Sequence, residues 1–393
     1  MDGSNRVNTL LTQREARDPS FNLGRSGGPH RLEADQDLLS GNLIGGTHST
    51  GKAIANGRIN WKSCNFMNNP LGPRVESAIE ARKSMVNDFF GGWNEEDIAL
   101  LSEFSAHTEY EIPPDGYILD WLGVKTKLEH HAWLPRPDGN KGVLVASLPI
   151  PDDQVHAEAI EYLALCIAIK RAQSRGETHF SSVELGSSYG PWTIASGVLG
   201  LRMGFDHVTL IPVEASAESF NKLFQHAQAN DLLSNTRLSF LPRNIAVGNK
   251  PGIVFFPLVD TSVDNGAQIS ESSCTTDYRG LEVASQPVVA ETITMIAGNI
   301  DHVDFLHVDL QGAEEIIIQS QEFKDFLQAK VSVFYLATQS RFIEGIALKV
   351  LPPLGFQLFR ERPTKYEQNS RTQDVNGWTT RDGGQIWINP SFS

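Results

Sequence analysis

Basic side chains are scarce in this sequence: 33 Lys and Arg stand against 47 Asp and Glu, for a formal net charge of -14. Without an excess of positive charge to neutralise phosphates, a nucleic acid is disfavoured as the main partner. Cysteine is nearly missing as well. Cys64, Cys166 and Cys274 are isolated and show no C-x-x-C spacing, so neither a disulfide framework nor a cysteine zinc site is supported. No run approaches the roughly 18 consecutive apolar residues of a membrane span. The start, MDGSNRVNTLLTQREARD, lacks the apolar core of a signal peptide. These absences lead to the expectation of a cytoplasmic protein with neither a membrane nor a nucleic-acid partner.

Aromatic residues are also absent from the first sixty positions, Phe21 excepted, where Gly, Ser and Asn dominate. Such a composition buries little apolar area, so residues 1–60 read as a flexible leader. Within it, Gly46-Thr-His-Ser-Thr-Gly51-Lys52-Ala53 nearly spells a phosphate-cradling loop. Ala53 replaces the hydroxyl that would ligate magnesium and no strand run precedes it, so coincidence is the better reading.

The rest of the 393 residues has ample material for a core, with 40% hydrophobic and 9% aromatic residues overall. Residues 61–151 read as a small accessory segment of mixed α/β structure. Val75, Ala78, Ile79, Met85, Val86, Phe89 and Phe90 fall at helical spacing before Gly91-Gly92. A second helix is expected over Glu95 to Phe104, a turn at Pro113-Pro114-Asp115-Gly116, and a buried strand at 142–150. His130-His131 reads as a polar surface pair, because adjacent residues share neither a strand face nor a helix face.

From 152 to 393 strands and helices alternate, the sign of a doubly wound α/β sheet with helices on both faces. A helix at about 153–174 precedes a strand at 180–186. A helix from Pro191 to Met203, a strand at 207–214 and a helix from Ser216 to about Asn230 follow. Further strands are expected at 237–242, 252–257, 303–309 and 331–336, with a terminal antiparallel hairpin from 356–360 and 384–389. The stretch Thr261 to Ala284 is an unusually long polar loop, which favours an acceptor-site lid, with disorder as the close alternative. Trp192, Trp378 and Trp387 read as core or pocket-wall residues, since no basic groove accompanies them.

The informative passage is Glu184-Leu-Gly186-Ser-Ser188-Tyr-Gly190-Pro191. Gly186 lets the backbone leave the strand, Gly190 allows close approach, and Pro191 suits a first helical position. Ser188 stands where the dinucleotide fingerprint G-x-G-x-x-G has its second glycine, which disfavours an extended pyrophosphate. Glu214 closes the next strand, where a carboxylate can accept both ribose hydroxyls of an adenosine group; the alternative is that it caps the helix opening at Ser216. In 303–309, His307 and Asp309 share a face by the two-residue period, with Asp309 at the carboxyl end where ligands bind in open α/β sheets. Glu314 falls in the first turn of the helix that follows, where Asp309 and Glu314 can equally compensate the helix start.

Over about residues 150 to 390 these motifs resemble the FkbM-type S-adenosylmethionine-dependent methyltransferases. The resemblance rests on Glu184-Leu-Gly186-Ser-Ser188-Tyr-Gly190, on Val213-Glu214-Ala215, on Arg243-Asn244-Ile-Ala246-Val-Gly248 and on Asp304-Phe-Leu-His307-Val-Asp309-Leu-Gln311-Gly312-Ala313-Glu314. The chain departs from the family pattern at Ser188 for Asn, His307 for Lys, Gln311 for Glu, and Tyr335-Leu-Ala337 where an acidic residue and a histidine are common. The resemblance implies a Rossmann-like class I methyltransferase sheet and S-adenosylmethionine held by Glu184, Gly186, Ser188, Gly190, Glu214, Asn244 and Asp309. It further implies catalytic roles for Asp309, Glu314 and His307, and a small-molecule or glycan hydroxyl as acceptor. Asp309 with a neighbouring oxygen could hold magnesium, yet spacing identifies no second or third ligand and no metal site is assigned. A homo-oligomer is left open. Two rival readings remain: a nicotinamide-dependent oxidoreductase on the same fold, and a noncatalytic adenosyl-binding module.

Overall fold

The computed structural model describes residues 94–106, 113–131, 139–150, 156, 158–260, 266–273 and 275–393. The glycine-rich leader, the Gly46–Ala53 loop, the helical spacing through Val75–Phe90, Cys64 and Cys274 lie outside the described residues.

A seven-stranded sheet organises the chain. Its strands are β4 (His179–Leu185), β5 (His207–Val213), β6 (Leu238–Phe240), β10 (Val303–Val308), β11 (Val331–Thr338), β12 (Gln357–Arg362) and β15 (Gly383–Ile388), in the order β12-β15-β11-β10-β4-β5-β6. Parallel pairing runs from β11 across to β6, whereas β15 is antiparallel to both β11 and β12. This is the doubly wound, Rossmann-like architecture the sequence implies, and its last two strands form the expected antiparallel pair. From β4 the chain steps one way to β5 and β6, then returns to β10 and steps the other way. The order therefore reverses between β4 and β10, and at such a switch point two loops diverge and leave a crevice.

Alternation along the strands makes two cores. On one face Phe180, Leu210, Phe305, Val333 and Ile386 pack against α1 (Glu95–Glu103), α2 (Ala159–Ser174) and α3 (Pro191–Arg202). On the other, Val183, Ile211, Leu306, Phe334 and Trp387 pack against α5 (Ile293–Ala297), α7 (Gln321–Lys330) and α8 (Arg341–Val350), while α6 (Glu314–Ile317) leads into α7. Helix α2 is buried on nearly every side, from Ala159 to Ala172. Its apolar residues therefore do not mark a single face. By contrast, α4 (Ala217–Ala229) is amphipathic, burying Leu223, His226 and Ala227 and capped by the Ser216 hydroxyl on the Ser219 amide.

Several smaller pieces flank the sheet. Strands β1 (Tyr117–Asp120), β2 (Lys125–Lys127) and β3 (Val143–Val145) form a sheet in the order β2-β1-β3. The apolar stretch at 142–150 yields only the short half-buried β3, with Leu148 and Ile150 entering the first core after it. Ile98, Leu101, Phe104, Trp121 and Val124 join that same core, so the described part of 61–151 shares its interior with the main sheet. The run at 252–257 does form a strand, β8 (Gly252–Pro257), outside the main sheet: it pairs with β9 (Ser285–Glu291), which also pairs with β7 (Ala246–Val247). A two-stranded ribbon, β13 (Lys365–Tyr366) with β14 (Thr379–Arg381), lies between β12 and β15 in sequence. Trp192 and Trp387 are buried, Trp378 half-buried.

The surface placement expected for His130-His131 is overturned. Both rings are buried, on and just after a single 3-10 turn over Leu128–His130. They sit against Tyr189, 5.3 and 5.5 Å away between ring centres, so both adjacent residues find an interior partner in a short turn that spacing rules for strands and helices do not describe.

Candidate functional site

At the switch point, residues 186–190 turn from β4 into α3. Gly186 has φ of 80°, and a Cβ there would lie 1.8 Å from the carbonyl oxygen of Asp309. No side chain fits between the two diverging strands, so glycine is required twice over, for conformation and for space. The Gly186 and Ser187 amides donate to the Val213 carbonyl at 3.0 and 2.9 Å, and the Asp309 amide donates to Leu185 at 2.9 Å. Three strand ends are thereby locked together. Ser188 adopts φ of 47°, uncommon for a residue with a side chain. Gly190, at φ of 78°, caps α3 and leaves room for Leu223, whose Cδ1 would be 2.2 Å from a Cβ.

The cleft opened by these loops has a cavity volume of about 110 Å³ and is open to solvent. Gly186, Ser188, Glu214 and Asp309 line its polar part, while Ile245, Val247, Phe256 and Ile269 supply an apolar wall. Glu214 receives the Ser188 amide on Oε2 at 2.7 Å and the Ser216 amide on Oε1 at 2.6 Å. The residue thus steadies the start of α4 with its carboxylate and also lines the cleft. Burial pushes its pKa up to about 7 against the pull of those amides, with Asp309 adding to the rise. The Asp309 carboxylate accepts from Gln311 Nε2 at 2.9 Å and Gln339 Nε2 at 3.1 Å. Its own pKa is raised, chiefly by burial, with His307 opposing and Glu161 adding to the effect.

Other residues singled out from the sequence sit beside the cleft, away from its lining. Glu184 turns under α3, where its carboxylate accepts the Trp192 and Thr193 amides at 3.3 and 2.7 Å and the Thr193 hydroxyl. Glu314 is fully buried beneath its own turn, accepting the Leu310 amide and, at 2.6 Å, the Gly312 amide. Burial raises Glu184 to about 7 and Glu314 to about 8. His307 points to α2, its Nε2 2.8 Å from Glu161 Oε1 and its ring stacked on Tyr335 at 4.9 Å. Asn244 is exposed and ties its Nδ2 to the Glu214 carbonyl at 2.8 Å.

Three contributors to the surroundings of the cleft bear no residue pattern that marks them individually. The apolar wall comes from β7, β8 and the described part of the long loop, where Ala267 and Ile269 line the cleft. A ring of histidines anchors the turn: the Tyr189 hydroxyl lies 3.3 Å from His131 Nε2 and 3.2 Å from His156 Nδ1, and its carbonyl lies 3.0 Å from His226 Nδ1. Gln339 and Asp382, distant in sequence, adjoin Asp309. Each could have been sought only as an apolar, ring or polar residue just past a strand end, too common a signal to select them. Among the described residues no group of three or more His, Cys, Asp or Glu could hold a metal ion, and no helix is long and apolar enough to cross a membrane.

The chain matches no family profile. It is 25% identical over 270 residues to a protein of Jannaschia sp. (strain CCS1) named "Putative methyltransferase", covering 67% of this chain and 89% of that one. Among solved structures, a ribosomal protein L11 methylase from Lactobacillus delbrueckii subsp. bulgaricus aligns at 10% identity and a TM-score of 0.30, over 66% of this chain and 91% of that one. A precorrin-6y C5,15-methyltransferase from Geobacter metallireducens GS-15 aligns at 8% identity and a TM-score of 0.30, over 57% and 86%. At these TM-scores the strand order of the sheet, and not the alignment, carries the fold assignment.

Proposed function

We propose that this chain is an S-adenosylmethionine-dependent methyltransferase of the FkbM type, acting on an oxygen acceptor such as a sugar or natural-product hydroxyl. The observation that carries the reading is the meeting of the Gly186–Gly190 turn, Glu214 and Asp309 in one cleft at the switch point. The residues suit an adenosyl donor. Glu214 offers acceptors to a ribose, and Ile245, Val247, Phe256 and Ile269 offer an apolar slot to a purine. The relative in Jannaschia, named a methyltransferase, supports the same activity, while the acceptor class rests on the FkbM resemblance.

When bound, the donor would supply an electrophilic methyl group on a sulfonium. The protein's task is then to align an acceptor oxygen with that carbon at about 3 to 3.5 Å and to exclude water. Asp309 is placed to orient the acceptor or take its proton, with Gln311 and Gln339 fixing the carboxylate. His307 and Glu314 act from behind, positioning α2 and the 309–312 turn.

S-adenosylhomocysteine should raise the melting temperature of the protein by linkage, and Glu214→Ala should reduce the shift. No shift at millimolar S-adenosylhomocysteine, with one produced by NAD, would favour the oxidoreductase reading instead.

A further inference from the structure

The apex of the long loop, residues 277–281, closes onto the turn that follows β10. Asp277 builds the apex: its Oδ1 accepts the Arg279 and Leu281 amides at 2.9 and 2.8 Å, and its Oδ2 pairs with the Arg279 guanidinium at 2.8 Å. Arg279 in turn lies over the Tyr278 ring, 5.3 Å from its centre. The segment between β13 and β14 holds the apex from outside. Asn369 Nδ2 donates to the Arg279 carbonyl at 3.1 Å, and a Cβ on Gly377 would come within 2.3 Å of the Tyr278 carbonyl. Loop and segment meet again at Gly312, where a Cβ would lie 2.8 Å from both Gln268 Nε2 and Asn376 Nδ2.

Gln311 sits inside this closure and lines the cleft. Its backbone is left-handed, at φ of 56°, uncommon for a residue with a side chain. Its amide reaches back to Asp309, Nε2 donating to Oδ1 at 2.9 Å, while Oε1 accepts the Tyr278 hydroxyl at 3.4 Å. An amide can turn either end to a carboxylate, but only the NH2 end is attracted to it. A hydroxyl donor on the far side selects that same orientation. Gln339 Nε2 converges on the same Asp309 oxygen at 3.1 Å. Two amides thus hold Oδ1, and among the described residues no side-chain donor is placed on Oδ2.

We propose that Tyr278 and Gln311 are positioning residues for methyl transfer: the hydroxyl sets the amide, the amide holds Asp309 by Oδ1, and Oδ2 is left to meet the acceptor's hydroxyl. The inference rests on the methyltransferase reading. In that reaction a lone pair of the acceptor oxygen forms the bond to the methyl carbon, the carbon–sulfur pair returns to sulfur, and the hydroxyl proton passes to Oδ2. A carboxylate held at one oxygen receives that proton from one direction, which is the alignment the reaction needs. The long loop thereby reaches the reacting atoms through a single hydrogen-bonded chain.

Carbon-13 NMR of the full chain, labelled at the aspartate carboxyl carbon, reads this chain without an acceptor; loss of a signal in Asp309→Asn identifies Asp309. Glu214, Glu314, Glu161, Asp382 and His307 also act on its charge and stay unaltered in every variant used. Taking an amide donor from a carboxylate favours its protonated form. Gln311→Met should therefore move the Asp309 midpoint up by about one pH unit, and Tyr278→Phe, which releases the amide to turn, by about half as much. In the Gln311→Met background Tyr278→Phe should add nothing, an outcome that general loosening of the loop would not give. Gln311→Gly, suited to the left-handed backbone, should match Gln311→Met and so separate the lost amide from a distorted turn. A Tyr278→Phe midpoint equal to that of the wild type, or an equal shift in both backgrounds, overturns the proposal. Calorimetry of the wild type with S-adenosylhomocysteine is read separately: absence of binding overturns the methyltransferase reading and the catalytic meaning of the chain, whereas the titrations decide the chain itself.

Discussion

Gly186 and Gly176 share a left-handed backbone, at φ of 80° and 74°, but differ in the space around them. A Cβ on Gly176 meets nothing within 4 Å, whereas on Gly186 it would overlap the Asp309 carbonyl. Gly176→Ala should therefore cost only the conformational term, about 1 to 2 kcal/mol. Gly186→Ala must also force β4 and β10 apart, and should cost roughly 4 kcal/mol or more. Urea unfolding of the two variants checks the difference, and equal losses would show that the strand ends separate easily. Single residues were legible where one reason fixes their type: Gly186 at a turn, Glu214 and Asp309 at strand ends. Glu184 and Glu314 carry the same chemistry in the sequence and, like Glu214, accept backbone amides, yet neither lines the cleft. Which carboxylate reaches the cleft depends on side-chain direction, and spacing does not set that.

At the scale of elements, the alternation from β4 to α4 was legible because each segment is long and its period clear. The run at 252–257 was legible as a strand but not as part of a separate sheet, since pairing partners are set by the chain's later course. β9 was not legible at all. It reads Ser-Gln-Pro-Val-Val-Ala-Glu, and a proline inside a run argues against a central strand. The register resolves the conflict: β9 pairs with β7 only at Ala290 and Glu291, so at Pro287 it has β8 alone as neighbour and is locally an edge. The wall formed by Val247 and Phe256 depends on this small sheet, so half of the cleft was hidden with it. Gln339 and Asp382 were hidden for a related reason, because β15 returns between β11 and β12 and brings together loops more than forty residues apart.

Across the whole molecule, buried titratable groups oppose one another. Burial pushes Glu184, Glu214 and Asp382 up to about 7 and Glu314 to about 8. Each keeps, when folded, a proton that the unfolded chain releases above about pH 4.5. Their contribution to stability is full below that pH and is lost as pH rises through 7 to 8. Burial pushes His130 down to about 4 and His226 well below the usual histidine range. These stay neutral where the unfolded chain takes up protons, so their contribution is present above about 6.5 and is lost as pH falls. Between about 4.5 and 6.5 the four raised carboxyls outweigh the two lowered histidines, so stability declines as pH rises. The melting temperature should thus be highest near the lower end of that interval, falling toward pH 8.5 and again by pH 3.5; a steady rise from pH 6 to 8.5 would contradict it.

Binding of an adenosyl donor in the switch-point cleft is measured by hydrogen exchange of the full chain with and without S-adenosylhomocysteine. Exchange should slow at residues 186–190, 213–216, 245–247 and 309–313, with β1, β2 and the β13–β14 ribbon unchanged. Protection confined to other segments, or produced at these residues by NAD and not by S-adenosylhomocysteine, would contradict it.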